Sequence, residues 1–186
     1  MTLAPEPVLQ ALLEAAVTGT GGTQGWLLRP QGATLEAVAA VGPHTADVLG
    51  AVVDADAGAA GFVYASGQPM ALSPRADDPR ATQGVAAIIG ARPRSILCIP
   101  CESGEGVAGV LEIVDKIDHA MFSFDDVEMA TLIAGVAGVA LATLGASRKR
   151  APAPDELIGE MRRLEATDPS RYEVVASLIA ALFACG

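Results

Sequence analysis

The chain has 186 residues, enough for one domain with an appendage, and 51% of them are hydrophobic, which excludes global disorder. Aromatics make up only 4%, so any core is built largely from small aliphatic side chains. The net charge is −10: residues 1–147 carry 16 acidic and 6 basic residues, whereas 148–186 carry six of each. An acidic surface of that kind repels phosphate backbones and argues against nucleic-acid binding.

Pro7 to Val17 places Val8, Leu9, Leu12, Leu13, Ala16 and Val17 at helical spacing, and Pro5 and Pro7 suit a helix start. Thr18-Gly-Thr-Gly-Gly22 should end it. Gly25–Arg29 and Leu35–Val41 read as strands joined by a Pro30-Gln-Gly32 turn. Pro43 to Ala57 reads mostly as loop. Ala59–Ser66 fits a short helix ended by Gly67, Met70–Leu72 a short strand, Ser73–Arg80 a polar loop and Ala81–Ile89 another helix. Ser95–Cys101 and Val107–Asp115 read as strands joined by a Ser103-Gly-Glu-Gly106 hairpin turn. Ser123 or Asp125 can cap a long helix to about Gly145.

Met129 to Ala146 is 18 residues without a charge, the lower limit for a membrane span. Its Ala, Gly and Thr content makes a buried helix the better reading, and no membrane association is expected. The opening Met1-Thr-Leu-Ala-Pro lacks the basic start of a signal peptide, and three cysteines are too few for a disulfide framework. A cytoplasmic location is the expectation. Beyond a linker at 147–154, residues 155–186 read as two helices. Leu157, Ile158, Met161 and Leu164 share one face of the first. Asp168-Pro169 opens the second, with Tyr172, Val175, Leu178, Ile179, Leu182 and Phe183 on its apolar face. Arg148-Lys149-Arg150 in the linker reads as a solvated hinge.

Several pieces between Gly58 and Asp126 occur in a telling order. They are Gly58-Ala-Ala-Gly-Phe62-Val-Tyr64, Asp77-Asp78-Pro79-Arg80, Arg94-Ser95-Ile-Leu-Cys98-Ile-Pro100, Gly109-Val-Leu-Glu112-Ile-Val-Asp115-Lys116 and Phe122-Ser-Phe-Asp125-Asp126. Together they resemble a GAF domain, the small-molecule sensory module of phosphodiesterases, phytochromes and many bacterial regulators. The resemblance spans about residues 5–146, within a domain expected over 1–146. It implies an α/β (α+β) fold: a central antiparallel sheet of five or six strands, the first and last helices on one face and a pocket under the loops on the other. It also implies a homodimer through the terminal helices, with a protein partner for the C-terminal tail as a further expectation.

The resemblance leaves the ligand open and requires no cofactor. Cyclic-nucleotide-binding members carry Asn-Lys followed by Phe-x-x-x-Asp-Glu. Here Asp115-Lys116, Phe122 and Asp125-Asp126 stand in their place, with a shorter spacer and without the aromatic and acidic residues that would hold a base near Val41. An ion pair from Lys116 to one of these carboxylates would be architectural, worth about 0–1 kcal/mol if exposed. Glu112 matches a pocket-facing glutamate and is the best single polar candidate, because an unpaired buried carboxylate is costly. Trp26, Phe62 and Tyr64 could line a pocket, Cys98 would face inward, and Arg94, Ser95 and Arg80 could meet an anion. A salt bridge from Arg80 or Arg94 to Asp77 or Asp78 is the plainer reading. His44 and His119 sit in loops and could ligate a haem iron, though solvated loop histidines are the simpler case. No Cys-His pair offers a bilin attachment.

Cys98-Ile-Pro-Cys101 has the C-x-x-C spacing of redox and zinc sites, but on a strand residues three apart face opposite ways. No catalytic or metal-binding residue is expected. Three functions remain: a small-molecule sensor signalling through its dimer interface or a partner, a ligand-free oligomerisation scaffold, and a thiol-dependent reductase of the same family.

Overall fold

The computed structural model describes residues 6–90, 92–104, 106–117, 121–150 and 154–184. It divides into two compact units, Met1–Leu144 and Gly145–Gly186.

The first unit is built on a six-stranded antiparallel sheet in the order β3-β2-β1-β6-β5-β4. The strands are β1 (Gly22–Gln31), β2 (Thr34–Val41), β3 (Val52–Asp54), β4 (Met70–Leu72), β5 (Ile96–Ser103) and β6 (Gly106–Lys116). The helices are α1 (Pro7–Thr20), α2 (Thr45–Val48), α3 (Gly58–Ser66), α4 (Val85–Ile89) and α5 (Phe124–Arg150), with a 3-10 turn at Pro79–Ala81. This is the α/β arrangement that the resemblance implies.

Alternation along the central strands feeds two cores. Leu111 and Ile113 of β6, with Leu97, Ile99 and Cys101 of β5, meet α1 and the inner face of α5 on one side. Val110 and Val114, with Trp26, Leu28, Ile96 and Cys98, meet residues of α2, α3 and α4 on the other. A sheet covered on both faces needs apolar residues at every strand position, which explains the continuous apolar runs in β5 and β6.

The elements depart from sequence expectation in a few places. Helix α1 runs through Thr18 to Thr20, where the Thr20 hydroxyl donates to the Ala16 carbonyl at 2.8 Å. Gly21, in the left-handed region at φ 69°, then ends it. Strand β1 begins at Gly22 rather than Gly25, because β6 supplies partners from Lys116 back to Val110. The stretch read as loop contains α2, held by buried Val48 and by the Thr45 hydroxyl bonded to the Gly42 carbonyl at 2.8 Å. The helix expected from Ala81 starts only at Val85, since Gly84 before it has non-helical backbone (φ 64°, ψ −135°).

Ser123 caps α5. The Asp126 amide donates to the Ser123 hydroxyl oxygen at 3.3 Å, and Ser123 N donates back to Asp126 Oδ2 at 2.6 Å. This is a capping box with aspartate in the role usual for glutamate. The helix continues past Gly145 into the expected linker; 151–153 lie outside the described residues.

The second unit contains α6 (Pro154–Thr167) and α7 (Pro169–Ala184), which pack on each other. Asp168 caps α7, accepting from Arg171 N at 3.1 Å. The Leu178, Ile179, Leu182 and Phe183 side chains lie outside the described residues.

Candidate functional site

Strand register places a row of side chains across five strands. Trp26 of β1 is opposite Ala40 of β2 and Glu112 of β6. Glu112 is opposite Cys98 of β5, and Cys98 is opposite Met70 of β4. Three of the sequence candidates, Trp26, Cys98 and Glu112, are thus neighbours on the face covered by α3 and α4. Trp26 Nε1 donates to Glu112 Oε2 at 2.6 Å. Glu112 is only 6% exposed, and burial pushes its carboxyl up to about pKa 7 against the opposing effect of the Trp26 hydrogen bond. The row is enclosed by apolar side chains such as Val63, Val85 and Ile96.

The two cysteines diverge, as strand geometry demands. Cys98 lies in the core under α3 and α4, Cys101 in the core under α1 and α5. Burial pushes the Cys98 thiol far up, with the nearby Glu112 and Cys101 adding to the effect. Burial likewise pushes Cys101 up to about 12, partly offset by a backbone hydrogen bond with Leu111. Both are held as thiols rather than nucleophilic thiolates.

The remaining motif residues form a lock at one end of the central strands. Asp115 takes left-handed backbone at φ 56°, the one non-glycine residue with positive φ among those described. Its Oδ1 accepts from Arg94 N at 2.7 Å. The buried Ser95 hydroxyl accepts from Lys116 N at 3.0 Å, and the Ser95 carbonyl accepts from Asp115 N at 2.9 Å. Arg94 therefore contributes its backbone here, and the residue is exposed.

Lys116 Nζ pairs with Asp126 Oδ2 and sits 5.8 Å from the centre of the Phe122 ring. Burial raises the Asp126 carboxyl, but hydrogen bonds from Lys116 and Ser123 outweigh it and hold it below the usual range. The pair is nearly enclosed, with side chains 13% and 10% exposed, so the exposed case considered from sequence does not apply to it. Asp125 is exposed.

Phe62 lies apart from the row. It is 51% exposed and lines a cleft of about 350 Å³ with Asp56, Gly58, Ala65, Arg80 and Gln83. Arg80 is tied to Asp78 through Nε to Oδ1 at 2.9 Å and Nη2 to Oδ2 at 2.7 Å. Tyr64, partly buried, packs against the core containing the row. His44 sits near Asp47 at 3.7 Å, and His119 lies outside the described residues. Among the described residues, no three His, Cys, Asp or Glu side chains cluster for a metal ion.

Asp56 and Gln83 are lining residues that sequence reading did not single out; exposed polar residues in loops carry no pattern that would mark them. Gln24, buried on β1 with its Oε1 lacking a partner among the described residues, also went unread, because it falls ahead of the apolar run.

Comparison with known proteins agrees with this architecture. The GAF-B domain of DevS from Mycobacterium smegmatis is similar at TM-score 0.60 and 23% identity, over 80% of this chain and 100% of that one. The GAF domain of a phosphoenolpyruvate-protein phosphotransferase from Coxiella burnetii is similar at TM-score 0.66 and 16% identity, over 78% and 88%. A type II free methionine-R-sulfoxide reductase from Thermoplasma acidophilum is similar at TM-score 0.57 and 15% identity, over 72% and 89%. At these identities the likeness speaks to fold alone. The sequence model of the GAF domain matches residues 2–142, and the chain belongs to the GAF domain family.

Proposed function

We propose that this chain is a sensory or regulatory protein that takes up a small molecule and passes its state on by pairing α5 with a second copy. The observation carrying the proposal is a seam on the outer face of α5. Met129, Leu132, Val136 and Val139 are 45%, 70%, 56% and 62% exposed. Their 3-4-3 spacing is that of the a and d positions of a two-stranded coiled coil. The opposite face of the helix, Ala130, Ala134, Ala137 and Leu141, is buried in the core. The stretch Phe124–Gly145 is long and apolar enough, by length and composition, to cross a membrane. Its inner face against the sheet and its heptad-spaced outer face support a pairing helix in a cytoplasmic protein.

An open cleft lies at Phe62 and Arg80, and this supports reading it as the ligand site. An aromatic face with charges of both signs, from Asp56 and Arg80, suits a small polar molecule with a planar group. The α6–α7 pair, with Leu157, Ile158 and Val174 exposed, offers a surface for a protein partner.

The second reading is a ligand-free scaffold, favoured by the apolar side chains that pack around Glu112. Thiol-dependent catalysis is the weakest: the two described cysteines are buried on opposite faces with protonated thiols.

Sedimentation velocity with native mass spectrometry tests the reading. A dimer carrying a reproducible extra mass supports the sensor, and a bare dimer supports the scaffold. A monomer at tens of micromolar would refute pairing through α5.

A further inference from the structure

A carboxyl group on an inner sheet face is expensive to keep charged unless cations or several donors meet it. Glu112 has neither among the described residues. Among the described residues its side chain is met by the neutral Trp26 indole N–H, and its row neighbours Cys98, Ala40 and Met70 carry no charge. Cys98 on β5, the titratable group beside it, keeps its proton.

Charged groups on the covering elements are engaged elsewhere. Arg80 of the 3-10 turn is paired with Asp78, and His44 beside α2 lies against Asp47. Helix α4 has no titratable residue, and Tyr64 is the titratable residue of α3. The Arg29–Glu36 pair occupies alternate strand positions to Leu28 and Leu35, so it projects to the other face of the sheet.

We propose that Glu112 makes the layer between the sheet and α3–α4 responsive to protons. With the carboxyl neutral, the layer closes over an uncharged Trp26–Glu112 hydrogen bond. On ionisation one neutral donor must hold a buried charge, and the layer loosens. The input is then the proton itself, which goes beyond the small-molecule reading and does not depend on it. Burial raises the carboxyl to about 7, which sets the working range near neutrality. The sign follows from linkage: a carboxyl raised on folding stabilises fully below its unfolded value of 4.5, and that stability is lost as pH rises through about 7.

Trp26 is the chain's one tryptophan, so its emission reports on the partner directly. The test is emission and thermal melting of the full chain from about pH 5 to about pH 9, with Glu112→Gln and Trp26→Phe alongside. Gln keeps the shape and an acceptor oxygen but cannot ionise. The expected result is a sigmoidal emission change centred near 7, a melting temperature that falls through the same range, and loss of both in Glu112→Gln. Trp26→Phe should melt with its midpoint moved to higher pH, because the carboxylate loses its donor; this arm keeps the test open if Glu112→Gln does not fold. Flat emission and melting in the parent chain would overturn the proposal. So would a transition that survives in Glu112→Gln, which would assign it to a histidine, or an unmoved midpoint in Trp26→Phe.

Discussion

Gly138 of α5 rests directly on the backbone of Glu102 in β5: a Cβ built on Gly138 would lie 2.0 Å from the Glu102 carbonyl oxygen. The long helix can sit this close to the sheet only because that position has no side chain. Gly138→Ala should therefore push α5 away from β5 and cost about 3 kcal/mol or more, since the obstacle is backbone. Gly135, in the same helix, faces open space. Gly135→Ala should stabilise the protein by about 0.5–1 kcal/mol through helix propensity. Urea unfolding of the two variants gives the comparison, and equal effects would contradict the contact.

The lock between β6 and α5 gives a second expectation. Asp126 accepts from Lys116, Ser123 N and Ser123 Oγ, all through Oδ2. Asp126→Asn should cost about 2–3 kcal/mol, the scale of a lost charge-assisted hydrogen bond in a nearly enclosed site. Its folded-state pKa lies below the ordinary value of 3.8. The stability it contributes is thus present above 3.8 and lost as pH falls through the lower folded value. Acid unfolding followed by circular dichroism should show a transition weakened in the variant.

The α5 seam predicts its own disruption. Leu132→Asp puts a charge at a 70% exposed position outside the core, so the fold should survive while pairing fails. Sedimentation should report a monomer with an unchanged circular dichroism spectrum. Ala134→Asp, buried against the sheet, should instead unfold the first unit.

Cys98 and Cys101 should resist thiol reagents in the native protein. With Cys185 replaced by alanine, modification should be slower than in denaturant by on the order of 10³-fold or more, since it requires opening of the core. Rapid native labelling of either thiol would remove the basis for reading them as structural.

Much of this fold is legible in the chain. The continuous apolar runs of β5 and β6, the Pro at the start of α1, the Ser123 cap and the Asp168-Pro169 signal are local features, and each element formed where its chemistry placed it. The same holds for Cys98 and Cys101, whose separation onto opposite faces follows from the two-residue strand repeat alone. Other features required the folded partner. Gly22-Thr23-Gln24 extends β1 only because β6 runs beside it, and α2 exists because Val48 reaches a core made elsewhere in the chain.

The sequence by itself determined the family, the order of the strands and helices apart from α2 and β3, and the candidacy of Glu112 as a polar residue among apolar ones, because these rest on local pattern and motif order. Tertiary structure decided what the candidates do. Register set Trp26 beside Glu112, turned the Arg94 amide and the Ser95 hydroxyl into clasps for Asp115 and Lys116, and carried Phe62 away to a surface cleft. Distances between residues more than 80 positions apart, as between Trp26 and Glu112, follow from strand pairing across the sheet, and no local periodicity encodes them.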